Sequence, residues 1–195
     1  MTKNNKVRKM TQIAILSVIA FLLMSFSFPI PIAPSFYKLD FSEVAVLVGG
    51  FSMGPIAAIA IEALKILFEI IFRSTTTGYV GEFANFLMGC ALVVPAAYYY
   101  KKNKSFKGAV IGLVIGCVSM IIIAAVLNYF VILPMYANMG FPMEKIIEAG
   151  TAIIPIIKNK FTFVLLATTP FNILKSVSVS LITVVLYKRI SPLLK

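Results

Sequence analysis

The sequence contains no histidine and no tryptophan, and only 2 of its 195 residues are cysteine. The absence of histidine excludes catalysis by imidazole and removes the commonest metal ligand. Cys90 and Cys117 lie within apolar runs, so we interpret them as small core residues rather than as a disulfide or metal site. We therefore expect no cofactor and no metal ion.

Charged residues are also scarce, at 13% of the chain against about 25% in an ordinary soluble domain. Hydrophobic residues make up 60%, and the mean hydropathy is +0.97. A soluble fold of this length could not bury so much apolar surface, and a disordered chain would be far more polar. We predict one membrane domain over residues 1–195, without room for a soluble nucleotide-binding domain.

Acidic residues are few: 7 Asp and Glu stand against 18 Lys and Arg, giving a net charge of +11. Such an excess is common in nucleic-acid-binding proteins, but a membrane protein accumulates the same charges on its cytoplasmic side. Most of the basic residues fall on the side of the two termini. We therefore predict no nucleic-acid partner, and a multi-pass cell-membrane protein with both termini in the cytoplasm.

Six apolar segments predict an all-α integral membrane protein built as a six-transmembrane-helix bundle in the lipid bilayer. The first segment follows a basic tail like that of a signal peptide, but it is long and lacks a clear cleavage site, so we predict a retained span. A short surface helix is predicted over 142–150. The predicted spans are residues 10–28, 44–53, 56–72, 82–100, 108–133 and 170–187.

Polar side chains collect at the predicted outer ends of these spans. An unpaired charge such as Lys175 costs at least ~2.5 kcal/mol at the bilayer centre, so it needs a partner, a ligand or water. The inner halves of spans one, four and five carry almost no ionisable groups. This asymmetry predicts a pocket open to the outside and closed below, rather than a channel. The candidates are Asp40, Asn85, Asn128, Thr169, Asn172 and Lys175.

Simpler structural roles compete with the pocket for several of these residues. Intramembrane Asn and Thr often serve only as hydrogen bonds between helices. Asp40 with Ser42 could cap span two, and Thr169 could cap span six. Glu62 and Lys65, three residues apart, are expected to pair inside the bundle.

Span one carries three small residues on an otherwise bulky helix, Ala14, Ser17 and Ala20. Small residues allow another helix to approach closely. The pattern is equally consistent with docking of a partner protein and with packing inside the bundle.

Several segments, taken in order, resemble the riboflavin-specific S component of energy-coupling factor (ECF) transporters. They are KLDFSEV and GGFSMGP within residues 38–55, GEFANFLMG at 81–89, LNYFVILPMY at 127–136 and PFNILKS at 170–176. The resemblance covers nearly the whole chain. It implies a transmembrane substrate-binding domain that captures riboflavin outside the cell, with no ATPase of its own. Import would need a transmembrane coupling protein and two ATPase subunits.

The resemblance also implies site residues. The family's ligand contacts correspond to Asn128, Asn172 and Lys175, and less specifically to a loop around Tyr37, Leu39 and Asp40. The family's coupling-protein contact on span one is an Ala-x-x-x-Ala pattern. Here Ala14 is followed four positions later by Val18, so the strict pattern is broken.

The chemical structure of riboflavin matches the side chains of these residues. Its flat ring needs apolar walls, for which Phe36 and Tyr37 are candidates, and its polar edge needs donors and acceptors at fixed positions. An Asn amide supplies both, and Lys supplies donors. Three alternatives stay open: an S component for another vitamin or a queuosine-like precursor, a small membrane enzyme, and a channel. The enzyme is disfavoured because the sequence shows no paired-carboxylate or Ser-based constellation.

Overall fold

The computed structural model describes residues 3–75 and 77–190 and is predominantly helical. In chain order its helices are α1 (Lys3–Ser25), α2 (Ser42–Met53), α3 (Pro55–Phe72), α4 (Val80–Lys102), α5 (Phe106–Leu127), α6 (Leu133–Asn138), α7 (Met143–Thr151), α8 (Lys160–Phe163) and α9 (Thr169–Ile190). Strands β1 (Phe28–Pro29) and β2 (Lys38–Leu39) pair antiparallel, with Phe28 opposite Leu39. The predicted all-α class and the surface helix, observed as α7, are confirmed.

Four helical stretches are long and apolar enough to cross a membrane: Asn5–Ser25, Val80–Lys102, Phe106–Asn138 and Lys160–Tyr187. They indicate a membrane protein. The other two predicted spans correspond to α3, which has 18 residues but three charged ones, and to α2, which has only 12 residues. A count of six spans therefore stays a prediction.

The last two predicted spans are longer than the sequence suggested. We expected the fifth to end before Pro134 and the sixth to begin at Pro170, because proline lacks the backbone donor and clashes with the preceding turn. Instead, each proline follows a π-helical turn, Asn128–Ile132 or Val164–Thr168, within a continuous helix. The wider turn, with its hydrogen bond from residue i to i−5, lets the helix continue past the proline.

The helices α2 and α3 form a hairpin around one glycine. Gly54 has a φ of +94°, which a residue with a Cβ rarely adopts, and Pro55 begins α3 with a φ already suited to a first helical turn. This turn lies beside Lys101 at the end of α4, so it marks the same end of the bundle as the basic α4–α5 connection.

That basic end of the bundle is closed by tight packing. A Cβ added at Gly112 of α5 would lie 2.8 Å from the Ala96 carbonyl oxygen of α4, so the two backbones lie in contact. Farther along, the Tyr100 and Tyr187 hydroxyl groups are hydrogen-bonded at 3.0 Å, and the Phe51 and Tyr100 ring centroids are 4.5 Å apart. The predicted apolar closure below the pocket is therefore present.

The opposite end of the bundle is less regular. Here α1 and α3 end, α4 and α9 begin, and the π-helical turn after α5 lies beside the one before α9. The connection between α1 and α2, residues 26–41, folds over this end and includes the β1–β2 pair.

Candidate binding cavity

A cavity of about 250 Å³ lies at this irregular end. Its volume is close to the lower end of the ~300–1,000 Å³ range of small-molecule sites. Apolar and aromatic side chains form much of its wall, and polar groups come from the 26–41 connection and from four helices. The wall includes Met24, Phe36, Tyr37, Asp40, Asn85, Met88, Met120, Asn128, Ile132, Tyr136, Phe171, Asn172 and Lys175.

An ion pair joins the connection to α9 inside this cavity. Lys175 Nζ donates to Asp40 Oδ2 at 2.8 Å, and only 5% of Lys175 and 2% of Asp40 is exposed. Burial alone would raise the pKa of Asp40, but the Lys175 and Lys65 ammonium groups lower it to about 2. Asp40 Oδ1 also accepts from the Ser42 backbone N–H at 2.9 Å, but the N-cap of α2 is Phe41, so the predicted cap is wrong: Asp40 lies one position before the N-cap.

Two amide side chains are held by their own helices. Asn172 Nδ2 donates to the Thr168 carbonyl at 2.8 Å, and Asn128 Nδ2 donates to the Ala124 carbonyl at 2.9 Å. The Asn172 Oδ1 has no hydrogen-bond partner within residues 3–75 and 77–190. Because Asn172 and Lys175 are three positions apart on α9, an acceptor and a cationic donor face the cavity from one side.

Tyr37 fastens the connection to both π-helical turns. Its hydroxyl donates to Asn128 Oδ1 at 3.2 Å and lies 2.8 Å from Thr168 Oγ1. Its ring stacks on Phe171, with centroids 5.0 Å apart. Burial raises the pKa of the Tyr37 phenol, so the group remains a neutral donor. Tyr37 thus closes one side of the cavity and aligns the two irregular turns.

A second group of charges lies directly behind the cavity wall and is fully buried. Lys65 Nζ lies 2.6 Å from Glu62 Oε1 and 2.9 Å from Glu43 Oε1. It also contacts Ser42 Oγ at 3.2 Å and Asn85 Oδ1 at 3.5 Å. The predicted Glu62–Lys65 pair is confirmed, but we were wrong to expect no paired carboxylates: Glu43, placed on α2 by the tertiary fold, adds one.

The structure brings most of the predicted site residues together. The cavity wall contains Tyr37, Asp40, Asn85, Asn128, Asn172 and Lys175. Leu39 and Thr169 lie outside it. Leu39 is buried in strand β2. Thr169 does not cap a helix as predicted, because the helix already runs through it and its hydroxyl donates to the Val164 carbonyl at 2.9 Å.

The small residues of α1 separate onto different sides. Ser17 and Ala20 are completely buried inside the chain, and the Ser17 hydroxyl donates to the Ile13 carbonyl at 2.8 Å. Ala14 is exposed, and so are its neighbours Ile15 and Val18. The internal-packing interpretation therefore describes Ser17 and Ala20, and Ala14 alone remains on the outer surface.

Sequence reasoning missed several members of the wall, chiefly Met24, Met88, Met120 and Tyr136. These are apolar or aromatic residues within apolar helices, so nothing in their local sequence separates cavity from core. Their helical spacing from polar neighbours was the one available signal: Met88 follows Asn85 by three positions and therefore shares its face.

The charges lining the cavity are balanced. Lys38, Arg73 and Lys175 are opposed by Asp40, Glu69 and Glu82. Arg73 also pairs with Glu69 at 3.1 Å. The part of the chain that the structure describes contains no group of three or more Cys, Asp or Glu arranged to hold a metal ion. The cavity therefore suits an uncharged molecule with a polar edge.

Comparison with protein families decides the family of this chain. The family described as "ECF transporter, substrate-specific component" matches residues 8–187. The chain belongs to this family. Its members are parts of transporters that act with an ECF module.

Individual relatives agree with this assignment. The chain is 35% identical over 188 residues to the Staphylococcus aureus (strain TCH60) "Riboflavin transporter RibU", covering 96% of this chain and 93% of that protein. It is 32% identical over 189 residues to the Bacillus subtilis (strain 168) "Riboflavin transporter FmnP", covering 96% and 94%.

A solved structure has the same fold. It is described as "Structure and mechanism of the S component of a bacterial ECF transporter", and the two chains superpose with a TM-score of 0.74 at 34% identity. The match covers 97% of this chain and 99% of the other.

Proposed function

We propose that this protein is the riboflavin-binding subunit of an ECF-type vitamin importer, with residues 1–195 as its substrate-binding domain. The observation that carries the proposal is the composition of the cavity. Apolar and aromatic walls surround a cluster formed by Lys175, Asp40 and Asn172. A flat, uncharged ring with a polar edge matches both parts, and two relatives of the whole chain are named riboflavin transporters.

In this proposal Lys175 and Asn172 bind the polar edge of the ring. Lys175 uses one of its three N–H donors on Asp40 and keeps the others for the ligand, while Asn172 Oδ1 offers an acceptor. Asp40 holds the Lys175 ammonium in place, and Asn128 with Asn85 completes the polar wall. Leu39 and Thr169, which lie outside the wall, act by positioning β2 and the start of α9.

The bundle crosses the cell membrane six times, with both termini in the cytoplasm and the cavity facing outward. In support, the basic α4–α5 connection lies at the end away from the cavity. Helices α2 and α3 cross as a hairpin whose charges are paired inside the protein, which is where intramembrane charges are tolerated.

Import also requires partner subunits: a transmembrane coupling protein and two ATPase subunits. The exposed Ala14 face of α1 is the candidate contact with the coupling protein. Its bulky neighbours are exposed and lie on a helix that would otherwise face lipid.

The absorbance spectrum of freshly purified protein tests the ligand. We expect a yellow protein with a flavin spectrum, and quenching of riboflavin fluorescence when ligand-free protein is titrated. A colourless protein that leaves riboflavin fluorescence unchanged but binds another vitamin or a queuosine-like precursor would support the alternative S component. Chemical change of the bound molecule would support an enzyme instead.

A further inference from the structure

The group of charges behind the cavity contains an imbalance. Glu43, Glu62 and Lys65 are all 0% exposed, and they bring two carboxyl groups against one ammonium group. An unneutralised charge buried in protein or lipid is costly, and two neighbouring carboxylates resist ionising together. The group therefore requires one more positive charge.

The atoms that would receive this charge are identifiable. Lys65 Nζ donates a hydrogen bond to Glu43 Oε1 and lies 2.6 Å from Glu62 Oε1, whereas Glu43 Oε2 and both carboxyl oxygens of Glu62 are buried without a hydrogen-bond partner in the described residues. Buried polar atoms are rarely left unsatisfied, so these oxygens point to a missing ligand. Each lies outside the binding cavity already described, whose wall contains neither glutamate.

Both carboxyl groups also face one spot above Gly89 of α4. A Cβ added at Gly89 would overlap the Glu62 carboxyl group and lie 3.0 Å from Glu43 Oε2. The glycine thus makes the space in which the two side chains meet. Because both carboxyl groups lie beside the same point, a protonated carboxyl group there can donate the hydrogen bond that its neighbour lacks.

We propose that Glu43 and Glu62 form a proton-binding site that holds one proton between them in the ligand-free protein at neutral pH. The proton makes the glutamates and Lys65 neutral as a group. Lys65 also contacts Ser42, which bonds Asp40, the partner of Lys175. The site is therefore connected to the cavity, and this connection alone rests on the proposed function.

Other charged groups surrounding the site do not change this balance. Asp40 lies before α2 and is paired with Lys175, and Cys90 of α4 is a free thiol on the next position after Gly89. Asn85 of α4 is neutral. Helix α1, which packs against α2 and α3, carries its charges in its first turns, and Glu82 on α4 accepts from Thr77 at 3.0 Å.

Infrared spectroscopy of the ligand-free protein in lipid nanodiscs tests the proposal without riboflavin. At neutral pH we expect the carbonyl stretch of a protonated carboxylic acid, shifted in D2O. Glu62→Gln and Glu43→Gln should each remove or displace this band. The control Glu144→Gln, on the exposed face of α7, should retain it. Glu69→Gln should also retain it, which separates the pair from Glu69, a half-buried residue of the cavity wall whose Oε2 also lacks a hydrogen-bond partner in the described residues.

Thermal unfolding supplies a second measurement. Raising the pH from about 7 to about 9 should lower the Tm of the wild type, because loss of the proton leaves an uncompensated buried charge. Glu62→Gln, which carries no removable proton, should keep its Tm across this range.

Absence of the band at neutral pH, or its persistence in both Glu62→Gln and Glu43→Gln, would overturn the proposal. A band that forms only after Na⁺ is removed, with a Tm that rises with Na⁺, would assign the site to a cation instead. If the band behaves as expected but riboflavin does not bind, the proton site stands and the proposed function fails.

Discussion

The two ends of the helix bundle are both rich in apolar residues, but different kinds of contact hold the helices together at each end. Toward the basic end, α4 and α5 contact each other backbone to backbone at Gly112. At the cavity end, two π-helical turns interrupt the helices, and side chains such as Tyr37 and Asp40 make the connections. Small residues thus allow close helix contact that seals one end, whereas hydrogen bonds and an ion pair between polar side chains form the site at the other.

This difference predicts that enlarging a residue at the sealed end damages the whole fold. Gly112→Leu drives a side chain into the α4 backbone, and overpacking of a core costs roughly 1–3 kcal/mol or more. We expect a large fall in Tm, or loss of folded protein, in detergent or nanodiscs. Val118→Leu on the exposed side of the same helix is the matched control. Equal Tm values for both variants would contradict the tight α4–α5 contact.

At the cavity end, removing a polar group should weaken binding while the fold survives. Lys175→Ala and Asn172→Ala should each weaken riboflavin binding about ten-fold or more, since a buried hydrogen bond involving a charged group contributes ~1.5–3 kcal/mol. Fluorescence quenching measures the affinity. Lys145→Ala, on the surface of α7, should bind like the wild type. Unchanged affinity in both cavity variants would remove these residues from the site.

Two tyrosines allow the ends to be compared with the same substitution. Tyr37→Phe removes the hydroxyl that bonds Asn128 and Thr168, and we expect riboflavin binding to weaken about 2- to 10-fold. Tyr100→Phe breaks the bond to Tyr187 at the sealed end. It should cost about 0.6 kcal/mol of stability, as is average for hydrogen bonds between membrane helices, and leave affinity unchanged. Equal effects on affinity would show that the two ends are not independent.

The smallest expected effect is that of a lower pH on riboflavin affinity. Because the pKa of Asp40 is lowered to about 2, its ion pair with Lys175 contributes fully above the ordinary carboxyl pKa and is lost only as the pH falls through about 2. Riboflavin affinity should therefore stay constant between about pH 7 and about pH 5. A loss of affinity in this range that Asp40→Asn abolishes would show that Asp40 takes up a proton far more easily than the geometry indicates.

The sequence predicted the helical class, the closed basic end and most polar members of the cavity, because each follows from local composition. An Asn or Lys in an apolar membrane segment needs a polar partner, a ligand or water, so Asn172 and Lys175 could be identified as candidates from the sequence. The polar ends of separate spans could also be assigned to one side by counting helices.

The remaining features depend on contacts between distant segments. Asp40 is 135 positions from Lys175, so the ion pair has no local signal. Glu43 was visible as a charged residue, but its meeting with Glu62 depends on how α2 and α3 pack beside Gly89. Pro134 and Pro170 suggested the end of one helix and the start of another. The π-helical turns that let the helices continue past these prolines depend on tertiary packing, so the local sequence did not reveal them.

The balance of charges around the cavity has a consequence for how ligand affinity depends on salt concentration. With Lys38, Arg73 and Lys175 set against Asp40, Glu69 and Glu82, an uncharged ligand experiences little net attraction or repulsion from the wall. Dissolved ions weaken long-range attraction between charges but scarcely affect short hydrogen bonds inside a buried pocket. Capture of the vitamin should thus proceed equally well in dilute and in saline surroundings.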